Sequence, residues 1–441
     1  MESTADKHYF ETKIALTEEP LTAATRLAAA GLHADYMVYE NAGRWSYAGG
    51  ALAEITLDRN GARLRHTEEV LLPWDGRPLQ QVERLLESVR VAGWRAYGWA
   101  AFELSYAKEG DLSHIEDERL LHLVVPQTEI LLDDGVAHLR SADPQTLAAA
   151  LEALSREGVP HPDRPVAVDV QQVGAEEYRK AVASAVRDIQ DQKLQKVIFS
   201  RVVPVEDEID LVDTYLVGRR GNSPARSFLL NMGGVEAAGF SPEIVVQVDD
   251  QGRVTSQPLA GTRALTQDPA ENLRLRTELL ADPKEVYEHA ISVKIGWDEL
   301  IEVCEPGTVD VVEFMTVKER GSVQHLASRV SGQLASGRHA WDAFGAVFPA
   351  VTASGVPKDA AYASIRSHES ELRGLYSGAV LTVEQGGAMD AALVLRAVYR
   401  QNGRTWLRAG AGIVGQSLPD REFEETCEKL GSVARFLVPA V

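Results

Sequence analysis

The chain has 441 residues, 45% of them hydrophobic and 25% charged, an ordinary globular composition with enough length for a large core. Lys plus Arg is 45 and Asp plus Glu is 65, a formal net charge of −20, so the basic footprint that nucleic-acid binding demands is missing. Two cysteines, Cys304 and Cys427, cannot build a disulfide framework and fit a reducing cytoplasm. Residues 1–13 carry no apolar signal region, and no stretch approaches the ~20 apolar residues of a membrane span. The expectation is a soluble cytoplasmic protein, either an enzyme or a large binding protein.

Up to residue 155 the sequence outlines a scaffold. Residues 54–58 read as a strand entering a turn at Arg59-Asn60-Gly61, and residues 128–139 as a hairpin around Asp133-Asp134-Gly135. Residues 146–155 form a helix candidate, and no catalytic motif occurs in this part. The charged stretch 156–168, with Pro160, Pro162 and Pro165, is the best boundary candidate. It separates an N-terminal region, 1–165, from a region carrying the chemistry, 166–441, with room for one sheet to run across both.

Beyond residue 173 the pattern sharpens. Tyr178, Val182, Val186 and Ile189 recur at helical spacing, and 196–203 reads as a strand. Residues 243–248 and 253–257 form a hairpin around Asp249-Asp250-Gln251-Gly252. Residues 284–304 read as a long helix with the apolar stripe Val286, Ala290, Val293, Trp297, Leu300 and Cys304. Three strands follow at 377–383, 388–399 and 405–413, then a helix at 421–436 with the stripe Phe423, Cys427, Leu430 and Ala434. Interleaved helices and hairpins predict an α+β fold, a mixed sheet with helices packed outside it.

Glu285 and Glu288 share one face of the long helix, and Glu422, Glu425 and Lys429 share one face of the last. Each pair reads as a solvated face or, if the helices meet, as part of a hard-oxygen site for Mg2+. Leu259-Ala260-Gly261-Thr262-Arg263 and Arg408-Ala409-Gly410-Ala411-Gly412-Ile413 are glycine-rich without a nucleotide signature. They read as tight sheet turns or as backbone that approaches an anion. Arg396 lies inside an apolar strand and needs a carboxylate or a bound anion as partner. Lys196, opening another apolar strand, poses the same question more weakly. His325 is a single imidazole among apolar neighbours, equally a core or a site residue. No Ser-His-Asp order and no zinc spacing can be defended.

Taken together, these segments resemble the chorismate-utilising enzymes, the family of anthranilate synthase component I, isochorismate synthase and salicylate synthase. The resemblance runs from Lys196 to Val438 through 196–201, 240–243, 259–263, 282–289, 321–326, 348–358, 373–378, 408–412 and 422–429. Its wording is nearest the salicylate synthase branch of mycobactin-type siderophore pathways.

The resemblance implies a large, mainly antiparallel sheet core and a Mg2+-dependent conversion of chorismate through isochorismate to salicylate and pyruvate. The alternative is an isochorismate synthase that stops at isochorismate. It assigns the metal to Glu288 and Glu425, with Glu285 and Glu422 close by. Lys196 is implied as the base that activates water, and must then be neutral; Glu243 is implied as the acid, and must then stay protonated. Substrate contacts are implied for Tyr376, Arg396, Gly410, Gly412 and Lys429, with Gly261 and Thr262 in the same site. His325, Thr352 and Leu259 are implied as the wall that holds the conformation for pyruvate elimination, with His325 counted among the catalytic residues. Members that use ammonia typically carry Gln where this chain has Lys196, so no glutaminase subunit is expected. A monomer is the expectation.

Overall fold

The computed structural model describes residues 8–156, 165–321 and 323–440. The boundary candidate at 156–168 falls mostly on residues 157–164, outside the described residues.

Two large sheets are stacked with helices on their outer faces. The first has 11 strands in the order Phe10–Ala15, Val136–Ser141, Thr128–Asp133, Arg44–Gly49, Tyr36–Asn41, Arg226–Met232, Val235–Ser241, Ala397–Gln401, Arg404–Ile413, Lys196–Val205 and Gly355–Val356. The second has 12. It runs Leu259–Ala264, Val323–Gln333, Arg253–Ser256, Ile244–Val248, Met389–Leu393, Ala379–Glu384, Arg95–Ala100, Leu121–Val125, Ala53–Asp58, Gly61–Arg65 and Glu69–Pro73, with Asp310–Arg320 also paired to Val323–Gln333. Every pairing between these strands is antiparallel. Both sheets draw strands from either side of residue 165.

Strand alternation explains the layers. In Tyr36–Asn41, Met37 and Tyr39 point between the sheets, toward Phe228, Trp99 and Val380, while Val38 points outward. The outward face of the first sheet packs on Leu27 of helix Pro20–Ala29, Tyr215 of Leu211–Arg220, and Leu430 and Val433 of Pro419–Ala434. The second sheet packs on Val82 of Pro78–Glu87, Val293 and Leu300 of Pro283–Ile301, and Phe344 of Ala340–Val347. Each fully buried side chain of this size contributes roughly 1.5–3 kcal/mol. The sequence patterns at 54–58, 128–139, 243–257 and 146–155 are all present as the expected strands, hairpins and helix.

Three local readings change. The expected strand 388–399 is two strands, Met389–Leu393 in the second sheet and Ala397–Gln401 in the first. The chain crosses between sheets at Val394-Leu395-Arg396, and Arg396 has φ +51°, a left-handed conformation that costs energy in a non-glycine residue. Its carbonyl accepts from Phe240 N at 3.0 Å. A second crossing lies alongside, where Ser241-Pro242-Glu243 leads from Val235–Ser241 to Ile244–Val248. Of the glycine-rich segments, 408–413 lies within the expected strand, and 259–264 is a strand rather than a tight turn; Leu259–Ala264 carries a bulge between Ala260 and Thr262, with Gly261 at φ +71°. Finally, the long helix buries only part of its apolar stripe, Val293 and Leu300 among it. Ala290 and Trp297 are exposed, whereas Glu285, Glu288, His289 and Ser292 are buried.

Candidate active site

The two crossings open a cavity at one end of the sandwich. Pro242, Glu243, Leu395 and Arg396 line it from the crossings. Leu259, Gly261, Thr262 and His325 come from the second sheet, and Gly410, Gly412 and Arg408 from the first. The long helix adds Glu288, the C-terminal helix Glu425 and Lys429, and the remaining wall includes Thr352 and Tyr376. Lys196, Glu285 and Glu422 stand just behind this wall, held by ion pairs to one another's neighbours.

Glu243 is buried, and Thr352 Oγ1 donates to its Oε1 at 2.6 Å. Burial pushes the Glu243 carboxyl up to about 8, against the opposing pull of the Thr352 hydrogen bond and the Lys196 charge. Lys196 is fully buried at the start of its strand. Its Nζ lies 3.0 Å from Glu288 Oε1 and donates to Ser292 Oγ at 3.1 Å.

Arg396 is buried among groups that do not neutralise it. It donates to the Arg320 carbonyl at 3.2 Å and to His325 Nε2, and among the described residues no carboxylate pairs with it. Burial and the nearby Arg320 charge lower it to about 10. A guanidinium only donates, so His325 Nε2 must accept and the ring proton sits on Nδ1. That nitrogen lies 3.1 Å from the Gly261 carbonyl and 3.2 Å from Thr262 Oγ1. Burial, then Arg396, pushes His325 well below the usual imidazole range. His325 is therefore a neutral wall group that aims the arginine.

The two helices do meet, and their carboxylates are buried rather than solvated. Glu285 accepts from Arg263 at 3.3 Å, Glu422 faces Lys284 at 2.9 Å and Glu425 faces Lys429 at 2.8 Å. Burial and the neighbouring Glu425 charge raise Glu422 to about 7. Burial acts in the same sense on Glu425, but Lys429 and Lys284 outweigh it and hold Glu425 at about 2. Burial likewise raises Glu285. Among the described residues no three acidic, imidazole or thiol groups form a ready-made metal cage.

The glycines keep room for these groups. A Cβ on Gly412 would overlap Glu288 Oε1, and one on Gly410 would overlap the Phe199 carbonyl and approach Tyr376 Oη to 2.9 Å. Tyr376 is buried beneath the Arg408 and Arg373 guanidinium groups, 5.3 and 5.8 Å from its ring centre. Arg408 is in turn held by Glu369 at 2.6 Å and Ser200 at 2.9 Å. Sequence reasoning gave no role to Ser292, Lys284, Arg263 or Arg408. Ser292 lies one helical turn past Glu288, and Lys284 adjoins Glu285, so helical spacing held the signal for the first two. The partners of the two arginines are set by the tertiary fold.

A carboxylate-lined, arginine-anchored cavity at the crossings of a two-sheet sandwich defines the class. The chain matches the chorismate binding enzyme family over residues 35–435 and belongs to it; it is a chorismate-utilising enzyme. Among individual relatives, a salicylate synthase from Mycolicibacterium paratuberculosis is 42% identical over 406 residues, 92% of this chain and 90% of that protein. Anthranilate synthase component 1 from Mycolicibacterium smegmatis is 36% identical over 317 residues, 70% of this chain and 59% of that protein. In three dimensions the chain resembles anthranilate synthase component I from Streptococcus pneumoniae, with TM-score 0.74 at 25% identity, covering 90% of this chain and 92% of that one. The menaquinone-specific isochorismate synthase of Escherichia coli shares the fold at TM-score 0.74 and 20% identity, covering 98% and 95%. No helix among the described residues is long and apolar enough to cross a membrane.

Proposed function

We propose that the chain is a salicylate synthase, converting chorismate through isochorismate to salicylate and pyruvate. The observation that carries the reading is Arg396, a buried cation that faces the cavity without a carboxylate partner among the described residues, and so calls for an anionic substrate. In this reading Arg396 and Tyr376 hold the enolpyruvyl carboxylate, and Lys429 stands beside the ring carboxylate. Lys196 takes a proton from a water attacking C2, the ring double bonds shift, and Glu243 gives a proton to the C4 hydroxyl, which leaves as water. A carboxyl that keeps its proton up to about pH 8 suits that task. In the second step a ring hydrogen moves to the enolpyruvyl methylene as the ether bond breaks, releasing pyruvate and aromatic salicylate. That step needs a held conformation more than an acid or base, and His325, Thr352 and Leu259 supply the wall.

The donor set fits Mg2+, which takes one or two carboxylates and completes its shell with water and substrate oxygens, so no cage of three is needed. Glu288 and Glu425 line the cavity and would hold the ion, with Glu285 and Glu422 behind them. Bound there, Mg2+ would bind and neutralise the ring carboxylate. Because water is the nucleophile, one chain suffices without a glutaminase subunit. Use of the salicylate in siderophore assembly, in the cytoplasm and by a monomer, belongs to the same proposal and rests on the resemblance.

The test is incubation with chorismate and Mg2+, following salicylate by fluorescence and pyruvate by a coupled assay, for the wild type and Arg396→Ala. Equimolar salicylate and pyruvate are expected, with a KM for chorismate raised about 10-fold or more in the variant, the loss of a charge-assisted bond. Accumulation of isochorismate without pyruvate would make the chain an isochorismate synthase. An unchanged KM would remove Arg396 as the anchor.

A further inference from the structure

Each of the four buried carboxylates faces a cation of the chain itself. Glu288 faces Lys196, Glu425 faces Lys429, Glu285 faces Arg263 and Glu422 faces Lys284. Lys284 differs from the other three cations. Lys196 also reaches Ser292, Lys429 also donates to the Gly410 carbonyl at 2.8 Å, and Arg263 also donates to the Thr262 carbonyl at 2.8 Å. Among the described residues, the Lys284 ammonium contacts only carboxylates, Glu422 at 2.9 Å and Glu285 at 3.6 Å. Burial opposes its charge, but Glu425, Glu422, Glu288 and Glu285 together hold it firmly protonated. It leaves the first turn of the long helix and spans to the C-terminal helix, so it stands between both acidic pairs. Its side chain keeps 18% exposure where that of Glu422 keeps 1%, so of the pair the lysine alone borders water.

We propose that Lys284 is a built-in counter-cation of the metal site, which holds the four carboxylates together in the absence of Mg2+, competes with Mg2+ for them, and so sets the metal affinity. The inference rests on the Mg2+ reading above. Clustered buried carboxylates repel unless a cation lies among them. A divalent ion bonded directly to two of them does this better than an ammonium. The two cations also repel each other at this range, so binding of one weakens binding of the other.

Mg2+ is titrated calorimetrically, without substrate, into the wild type, Lys284→Met and Lys294→Met, and the Tm of each is recorded in chelator and in saturating Mg2+. Lys294 is an exposed cation of the same helix paired with Asp298, and its variant should match the wild type. For Lys284→Met the Kd for Mg2+ should fall about tenfold. Its Tm in chelator should fall by about 4 °C, and saturating Mg2+ should close that gap. A variant that folds in Mg2+ and unfolds on chelation, followed by circular dichroism, supports the inference in a stronger form. Equal or weaker Mg2+ binding by the folded variant overturns it, as does a Tm gap that persists at saturating Mg2+ or a failure to fold even in Mg2+. Absence of Mg2+ binding by the wild type would instead remove the metal reading itself.

Discussion

Glu243 shows how one residue's surroundings set its task. Its carboxyl keeps a proton up to about pH 8, where an unburied one releases it near 4.5. Between those values the folded chain holds a proton that the unfolded chain gives up. Glu243's contribution to stability therefore falls as pH rises through that window. Activity has the same sign, since an acid must be protonated to act: kcat/KM for chorismate should fall with a midpoint near 8 on the alkaline side. Thr352 tunes this value, because its hydroxyl donates to Glu243 and so favours the ionised form. Thr352→Val removes that bond, and the alkaline limb should move to higher pH in pH–rate profiles. A limb that stays in place or moves to lower pH would show that another group governs it. Glu243→Gln should cost about 10²–10⁴-fold in turnover at the pH optimum, the usual size of general acid catalysis.

At the level of elements, the same physics decides what could be read from the sequence and what could not. The C-terminal helix was legible: Phe423, Cys427, Leu430 and Ala434 are all buried. The long helix was legible as a helix and only in part in its orientation, since Val293 and Leu300 of the stripe are buried. A hydrophobic stripe marks the whole buried face only when that face meets apolar neighbours alone, and here the helix also turns Glu285, Glu288 and Ser292 toward cations of the opposing elements. Strand 388–399 was misread because hydrophobicity runs through the crossing; only the left-handed Arg396 marks the change of sheet. The glycine-rich strand 404–413 gives a direct test of what its glycines do. At Gly412 a Cβ meets the movable end of Glu288, so Gly412→Ala should fold with a Tm near that of the wild type while losing most activity. At Gly410 it meets the Phe199 backbone carbonyl, inside the pairing with 196–205, so Gly410→Ala should lower the Tm by several degrees. Equal Tm losses in the two variants, measured by thermal unfolding, would mean that both glycines serve strand packing alone.

At the scale of the molecule, the scaffold and the chemistry cannot be separated. The motifs that identify the family cluster beyond Lys196, yet the strands carrying them belong to sheets completed by residues before 156. Tyr36–Asn41 pairs with Arg226–Met232 over six register positions, and Arg95–Ala100 pairs with Ala379–Glu384 over six more. Between the sheets, Met37, Tyr39, Tyr97 and Trp99 share one core with Phe228, Val380 and Tyr399. None of this pairing was legible in the sequence, because register between distant strands is set by tertiary contacts rather than by local periodicity. Without the first half, the second would expose two long sheet edges and the apolar layer that supports Tyr376. The chain should accordingly unfold in one transition, with tryptophan fluorescence and far-ultraviolet circular dichroism tracing coincident curves against denaturant. Trp45, Trp94 and Trp99 report the first half, and Trp341 and Trp406 the second. A fragment of residues 166–441 should be insoluble or associate through its open edges. Two resolved transitions in the full chain, or a soluble fragment that turns over chorismate, would show that the first half is dispensable to the fold of the second.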